Sequence, residues 1–103
     1  MISAKCPIRT TLEMLGGKWR LLIIQVLSSE KQTFGRMKRS LPEISDKMLS
    51  QELKILQDNH LILRTETKAD GISYELTEAG QQAIPLIHSM KVFAEAYHKS
   101  VQL

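Results

Sequence analysis

The stretch ISDKMLSQELKILQDNHLILRTETKADGISYEL, residues 44–76, decides the fold because a helix signal runs directly into two strand signals. Ser45 suits a helix N-cap, since its hydroxyl can accept a hydrogen bond from an N–H two or three residues on. Three leucines then repeat at helical spacing and predict a helix over 45–59. An Asp-Gly pair between strand-forming residues favours a tight turn, so 61–76 is predicted to be a β-hairpin.

Four further helices are predicted outside this stretch. Apolar residues recur in each of them every three or four positions, as on the buried face of a helix. Pro85 lies inside the last one and should kink or split it near residue 84, because proline lacks the N–H that continues a helix. The predicted bounds are 7–15, 19–27, 34–41 and 78–99.

The order of these elements predicts a mainly α fold with a small β-hairpin. A three-helix unit followed by a hairpin is the winged form of the helix-turn-helix. The second helix of the motif, 45–59, is then the recognition helix, and 61–76 is the wing. At 103 residues, we expect the whole chain, 1–103, to form one domain.

The amino-acid composition excludes several classes of protein. Apolar residues make up 43% and charged residues 24%, which excludes disordered and collagen-like chains. The longest apolar run, 21–27, is far too short to span a bilayer, and residues 1–5 carry no apolar signal segment, so we expect a cytoplasmic protein without a membrane partner. A single cysteine, Cys6, allows no internal disulfide, and without a Cys-x-x-Cys pair we expect no structural zinc site.

Positive charge is concentrated in the first two-thirds of the chain. Residues 1–68 carry a net charge of +5, whereas residues 69–103 carry −2. A polyanion such as DNA suits this distribution. An ordinary solvated surface that happens to be basic is the alternative.

Polar side chains on one side of helix 45–59 are suited to reading bases in a major groove. Lysine can reach phosphates or guanine, glutamine can pair with adenine at two atoms, and serine can bond to base or backbone. The alternative is an ordinary wet helix face. The residues of this stripe are Lys47, Ser50, Gln51 and Lys54, with Ser45 at the start of the helix.

Other cations are placed to contact DNA phosphates. Arg36, Lys38 and Arg39 lie on the helix that should cross the DNA backbone, and Arg64 and Lys68 lie on the wing. Phosphate contact needs only a cation within reach, so these contacts would strengthen binding without reading sequence.

The two ends of the chain are predicted to form the interface of a homodimer. The last helix carries more apolar surface than a small core can cover, and the first helix adds to it; such surface normally marks an interface. A dimer also doubles the bases read, which predicts a palindromic operator. The predicted interface residues are Ile8, Leu12, Leu86, Ile87, Met90, Phe93 and Tyr97.

Several separate motifs occur in order along the chain: Cys6-Pro7, residues 15–19 (LGGKW), 34–42 (FGRMKRSLP), 44–53 (ISDKMLSQEL) and 74–80 (YELTEAG). With these motifs the chain resembles the HxlR-type winged-helix transcriptional regulators of prokaryotes. The resemblance implies a homodimeric, sequence-specific DNA-binding regulator. Two departures are the wing, which lacks the family's frequent proline pair, and Phe93, where the family often has tryptophan.

Cys6 is a candidate redox-sensing residue. It precedes the predicted helix 7–15, and the helix dipole together with Lys5 and Arg9 favours the reactive thiolate form. The resemblance implies a sensor at this place in several relatives, through an intersubunit disulfide or capping by a small thiol. An inert, half-buried cysteine is the alternative.

Other classes of protein fit the sequence less well. No catalytic triad, phosphate loop or metal-ligand spacing can be assembled, so we expect no enzyme activity, cofactor or metal. A winged-helix protein-interaction module without DNA binding would present an acidic or apolar face on helix 45–59, where this chain has lysines and glutamine. A thiol-redox protein would be expected to carry a second, resolving cysteine.

Overall fold

The computed structural model describes residues 6–101, which form six helices and three short strands. The helices are α1 Pro7–Leu15, α2 Arg20–Leu27, α3 Phe34–Ser40, α4 Asp46–Asp58, α5 Glu78–Gln81 and α6 Ile84–Val101. The strands are β1 Gln32–Thr33, β2 Ile62–Thr67 and β3 Gly71–Leu76. This arrangement is the winged helix-turn-helix that the sequence predicts.

The core lies where α2, α3 and α4 meet under the sheet. The leucine stripe of α4 is fully buried, as predicted, and packs with two isoleucines of α2 and with Met37 of α3. One face of α4 is therefore packed in the core, and the opposite face is exposed to solvent. The buried apolar side chains of these helices are Ile23, Ile24, Leu27, Met37, Leu49, Leu53 and Leu56.

Side-chain caps begin three of the helices. The Ser45 hydroxyl accepts a hydrogen bond from the Met48 N–H at 3.0 Å, which confirms the predicted start of α4. Thr33 caps α3 in the same way, and Thr77 caps α5. Each cap satisfies an N–H that the first turn of a helix leaves unpaired.

The sheet has one strand more than predicted, in the order β1-β3-β2 with both pairs antiparallel. β1 is only two residues long, too short to give a periodic signal in the sequence. The predicted turn is also modified. Within the turn, only Gly71 takes a positive φ, of 71°, and the Asp70 N–H bonds to the Thr67 hydroxyl. Thr67 pairs with Gly71, so the loop between the strands is longer than a two-residue turn.

A compact junction connects α4 to the wing. His60 has a φ of 60°, and the N–H groups of His60 and Leu61 bond back to carbonyls of the last turn of α4. The Thr77 hydroxyl donates to the His60 carbonyl at 2.7 Å, and the Thr77 N–H donates to the Leu61 carbonyl at 3.1 Å. The end of α4, the start of β2 and the start of α5 are therefore held together.

The predicted split in the last helix is confirmed. The helical segment that begins at Glu78 ends at Gln81, and α6 begins at Ile84, directly before Pro85. None of the 18 residues of α6 is buried. Most helical stability in proteins comes from packing of an apolar face, and much of the apolar surface of α6 stays exposed in the single chain.

Candidate nucleic-acid interface

The outer face of α4 presents the side chains predicted to read DNA. Lys47, Ser50, Gln51 and Lys54 are all exposed, and we refer to them as the polar stripe. They lie on one side of the helix because their spacing of three and four residues follows the helical repeat. Burial of the leucines on the opposite face fixes the direction in which the polar stripe points.

Three of the predicted DNA-contacting cations have no ion-pair or hydrogen-bond partner for their side chains among residues 6–101. They are Arg39 on α3, Lys47 on α4 and Lys68 at the tip of the wing, and all three are exposed. A free exposed cation can approach a phosphate without first breaking a contact. These three are therefore the best placed of the predicted phosphate contacts.

Exposed ion pairs engage three further predicted DNA-contacting residues. The pairs are Arg36–Glu30 at 3.1 Å, Lys54–Asp58 at 2.8 Å and Arg64–Glu66 at 3.9 Å. Exposed pairs of this kind contribute only about 0.2–1 kcal/mol. Exchanging the carboxylate for a DNA phosphate would therefore cost little.

Lys38 differs from the other predicted phosphate contacts. Its ammonium group donates to the Ile44 carbonyl and lies 3.1 Å from the Asp46 carboxylate, and its side chain is only 28% exposed. It therefore bridges the end of α3 and the start of α4 across the turn of the motif. No sequence pattern predicts this bridge, because it depends on how the two helices meet.

A continuous apolar surface runs along α1 and α6. Ile8 and Leu12 of α1 are 74% and 62% exposed, and Phe93 of α6 is 70% exposed. The two helices border a groove of about 480 Å³, lined on the α6 side by Leu86 and Met90. The exposed apolar residues on this side of α6, spaced three or four apart, are Leu86, Met90, Phe93, Tyr97 and Val101, and we call them the α6 stripe.

One predicted interface residue, Ile87, does not lie on the α6 stripe. Ile87 is half-buried and packs against the core beneath α6 rather than on the α6 stripe. The helical repeat places it on the side of α6 that faces α2, which the apolar count of the sequence does not distinguish from the outer side. Ile87 therefore anchors α6 to the domain.

Cys6 occupies the N-cap of α1 in an extended conformation and is half-buried. Its carbonyl accepts from the Thr10 N–H at 2.9 Å, as expected at the start of a helix. Arg9 is exposed on the first turn, whereas Lys5 lies outside the described residues. Cys6 directly precedes Pro7 and Ile8, which line the groove between α1 and α6.

Residues 6–101 contain no group of three histidine, cysteine or acidic side chains placed to hold a metal ion. Within the same range, no helix is both long and apolar enough to cross a bilayer.

Residues 14–102, most of the chain, match the sequence model of the HxlR-like helix-turn-helix family. The chain belongs to this family. YdzF of Bacillus subtilis (strain 168), described as an uncharacterized HTH-type transcriptional regulator, is 40% identical over 91 residues, 85% of this chain and 84% of YdzF. The HxlR-type resemblance noted from the sequence motifs is thereby confirmed.

Solved structures of similar sequence have the same fold. Quinone-bound YodB from B. subtilis is 32% identical, has a TM-score of 0.79, and the match covers 88% of this chain and 98% of YodB. The redox regulator HypR in its oxidized form is 29% identical, with a TM-score of 0.81 over 88% of this chain and 96% of HypR. This HxlR-family chain is a DNA-binding transcriptional regulator, and the protein-interaction alternative is not favoured.

Proposed function

We propose that the protein acts as a homodimer that binds a palindromic operator, with one α4 helix in the major groove of each half-site. The observation that carries this proposal is the polar stripe of α4, exposed opposite a fully buried leucine face. Its lysines, serine and glutamine include the residue types that recognise bases and phosphates. Arg39 and Lys68 supply unpaired charge on the neighbouring helix and wing.

The dimer is supported by α6. The α6 stripe and the apolar residues of α1 leave more exposed hydrocarbon than an isolated small domain is expected to tolerate. In a two-fold dimer, the α6 stripe and the α1 residues of one subunit would pack against the same residues of the other, so that both subunits bury this surface. It would also set two α4 helices at a fixed separation, as a palindrome requires.

We further propose that the protein has no catalytic activity of its own and acts in the cytoplasm. The support is that the proposed partner is DNA: relatives such as YdzF are named as transcriptional regulators. The DNA of a prokaryotic cell lies in the cytoplasm. Regulation through operator binding requires no chemical step. Neither a cofactor nor a metal enters this proposal.

Gln51→Ala is expected to weaken binding to the best operator by roughly 1–3 kcal/mol and to relax base preference at one position in each half-site. The reason is that alanine cannot form the two hydrogen bonds that glutamine offers to a base. The matched control is Arg39→Ala, which should weaken operator and random DNA alike and reduce the salt dependence of binding. Titrations on both DNAs at several salt concentrations measure these effects. Equal losses on operator and random DNA for Gln51→Ala would mean that α4 is not the reader.

Thiol sensing at Cys6 is a second candidate function. The observation in its favour is similarity to the oxidized form of the redox regulator HypR and to quinone-bound YodB. Two Cys6 thiols of a dimer could form a disulfide by giving two electrons and two protons to hydrogen peroxide, which is reduced to two waters. Alternatively, one thiol could add to a quinone. Either product would alter the start of α1 beside the proposed interface.

Peroxide or quinone is expected to change the operator affinity of the wild type and to leave Cys6→Ser unchanged, because serine retains the size of cysteine without its nucleophilic sulfur. Paired DNA-binding titrations before and after treatment measure the change. The mass of the treated protein identifies the product. An identical response in both proteins would leave Cys6 as a structural residue.

A further inference from the structure

The least exposed ion pair among residues 6–101 lies directly behind the polar stripe. The Arg20 Nε lies 3.4 Å from both carboxylate oxygens of Glu52, and the two side chains are 18% and 10% exposed. Glu52 is the next residue after Gln51, so it marks the edge at which the exposed face of α4 becomes the buried face. Through Glu52, Arg20 therefore contacts α4 on the inner side of the helix.

The same guanidinium also holds the end of α1. Arg20 Nη1 donates to the Glu13 carbonyl at 3.1 Å, one of the carbonyls that the last turn of a helix leaves without a partner. Arg20 is the first residue of α2. One planar group thus connects the end of α1, the start of α2 and the inner side of α4.

Stability alone does not explain a carboxylate at this position. Apolar residues of similar volume commonly replace a buried ion pair with no loss of stability, because removing two charges from water is costly. What an ion pair adds is direction, since its hydrogen bonds are satisfied at one geometry only. Apolar packing sets which face of α4 is buried, and the ion pair adds a directional constraint on the rotation of α4 relative to the α1–α2 corner.

We infer that Arg20 and Glu52 are positioning residues for DNA recognition: they fix the rotation of α4 relative to α1 and α2 and so aim Gln51 at its base. This inference rests on the proposed reading of DNA by α4. It assigns a role in sequence discrimination to two residues that do not lie on the polar stripe. Because Arg20 also bonds to α1, the pair links the proposed dimer helix to the reading helix.

The double variant Arg20→Met and Glu52→Leu separates positioning from stability. We expect it to unfold at a temperature close to that of the wild type and to bind random duplex DNA with an affinity within about twofold. The ratio of affinities for the selected operator and for random DNA should fall about tenfold, since a misdirected bidentate contact is lost. The measurement is made well below the unfolding temperature of every variant. An unchanged ratio in a folded double variant would overturn the inference.

Two single variants keep the test decisive. Glu52→Gln retains an oxygen that accepts from Arg20 and should keep most of the ratio. Arg20→Lys retains the charge without the planar donor geometry, and should lower the ratio at least about threefold. If the double variant does not fold, the inference is tested with Arg20→Lys instead. An unchanged ratio of operator to random-DNA affinity in that variant overturns the inference.

Gln51→Ala in the same assay distinguishes the two possible failures. A lowered ratio for Gln51→Ala with an unchanged ratio for the Arg20 and Glu52 variants would leave the proposed function intact and reject the positioning role. An unchanged ratio for Gln51→Ala would reject reading by α4 itself, and the positioning role with it.

Discussion

A variant carrying both Met90→Asp and Phe93→Asp is expected to be a folded monomer whose affinity for the operator is reduced at least about 100-fold. In the single chain these side chains are 50% and 70% exposed, so the substitutions disturb no core packing. In the proposed dimer they would bury four carboxylates against an apolar surface, which is strongly unfavourable. The loss of affinity follows because two linked reading helices bind far more tightly than one.

Val92→Asp is the matched control for this variant. Val92 is 53% exposed on α6, and the helical repeat places it away from the α6 stripe. We expect it to remain dimeric and to bind the operator as the wild type does. Sedimentation or light scattering gives the mass of each protein, and circular dichroism shows that each is folded. A Met90→Asp, Phe93→Asp variant that remains a stable dimer would contradict the proposed interface.

Gly80→Ala is expected to destabilise the protein by about 3 kcal/mol, which corresponds to a fall in Tm of roughly 12–24 °C. A Cβ at this position would lie 2.0 Å from the Leu61 carbonyl oxygen and 3.0 Å from its carbon, and backbone cannot rotate aside as a side chain can. Relief requires α5 to move away from β2. That movement breaks the hydrogen bonds from Thr77 to the His60 and Leu61 carbonyls.

Gly35→Ala makes the same chemical change without the clash. A Cβ on Gly35, in the first turn of α3, would meet only the tip of the Arg39 side chain, at 3.8 Å. Alanine is the better helix former, so this variant should be more stable by about 0.5–1 kcal/mol. Thermal unfolding of both variants is compared at one protein concentration, because a dimer's Tm depends on concentration. A Tm for Gly80→Ala close to that of Gly35→Ala would disprove the tight junction.

The features that the sequence predicts correctly are those with local causes. The cap at Ser45 and the split at Pro85 each depend on residues within one or two turns of the chain. The leucine repeat of α4 is equally local, and it predicts without any tertiary contact that the polar stripe lies on the exposed side. The order of the elements then left few folds to choose from.

The features that the sequence did not predict depend on contacts between different secondary-structure elements. Glu52 reads as one more polar residue of an amphipathic helix, and its burial depends on Arg20, which is 32 residues away. Lys38 reads as a free cation, yet it bridges to Ile44 and Asp46. Charge composition cannot separate a cation that binds DNA from one that holds two helices together.

Selection of bound sequences from random duplex DNA tests the central claim most directly, namely that two α4 helices of a homodimer read the operator. The result expected is an inverted repeat whose half-sites are centred about 10–10.5 base pairs apart, or a multiple of this spacing. With Gln51→Ala, one position should lose its preference in both half-sites together. A single asymmetric site, or no enrichment of any sequence, would contradict the account.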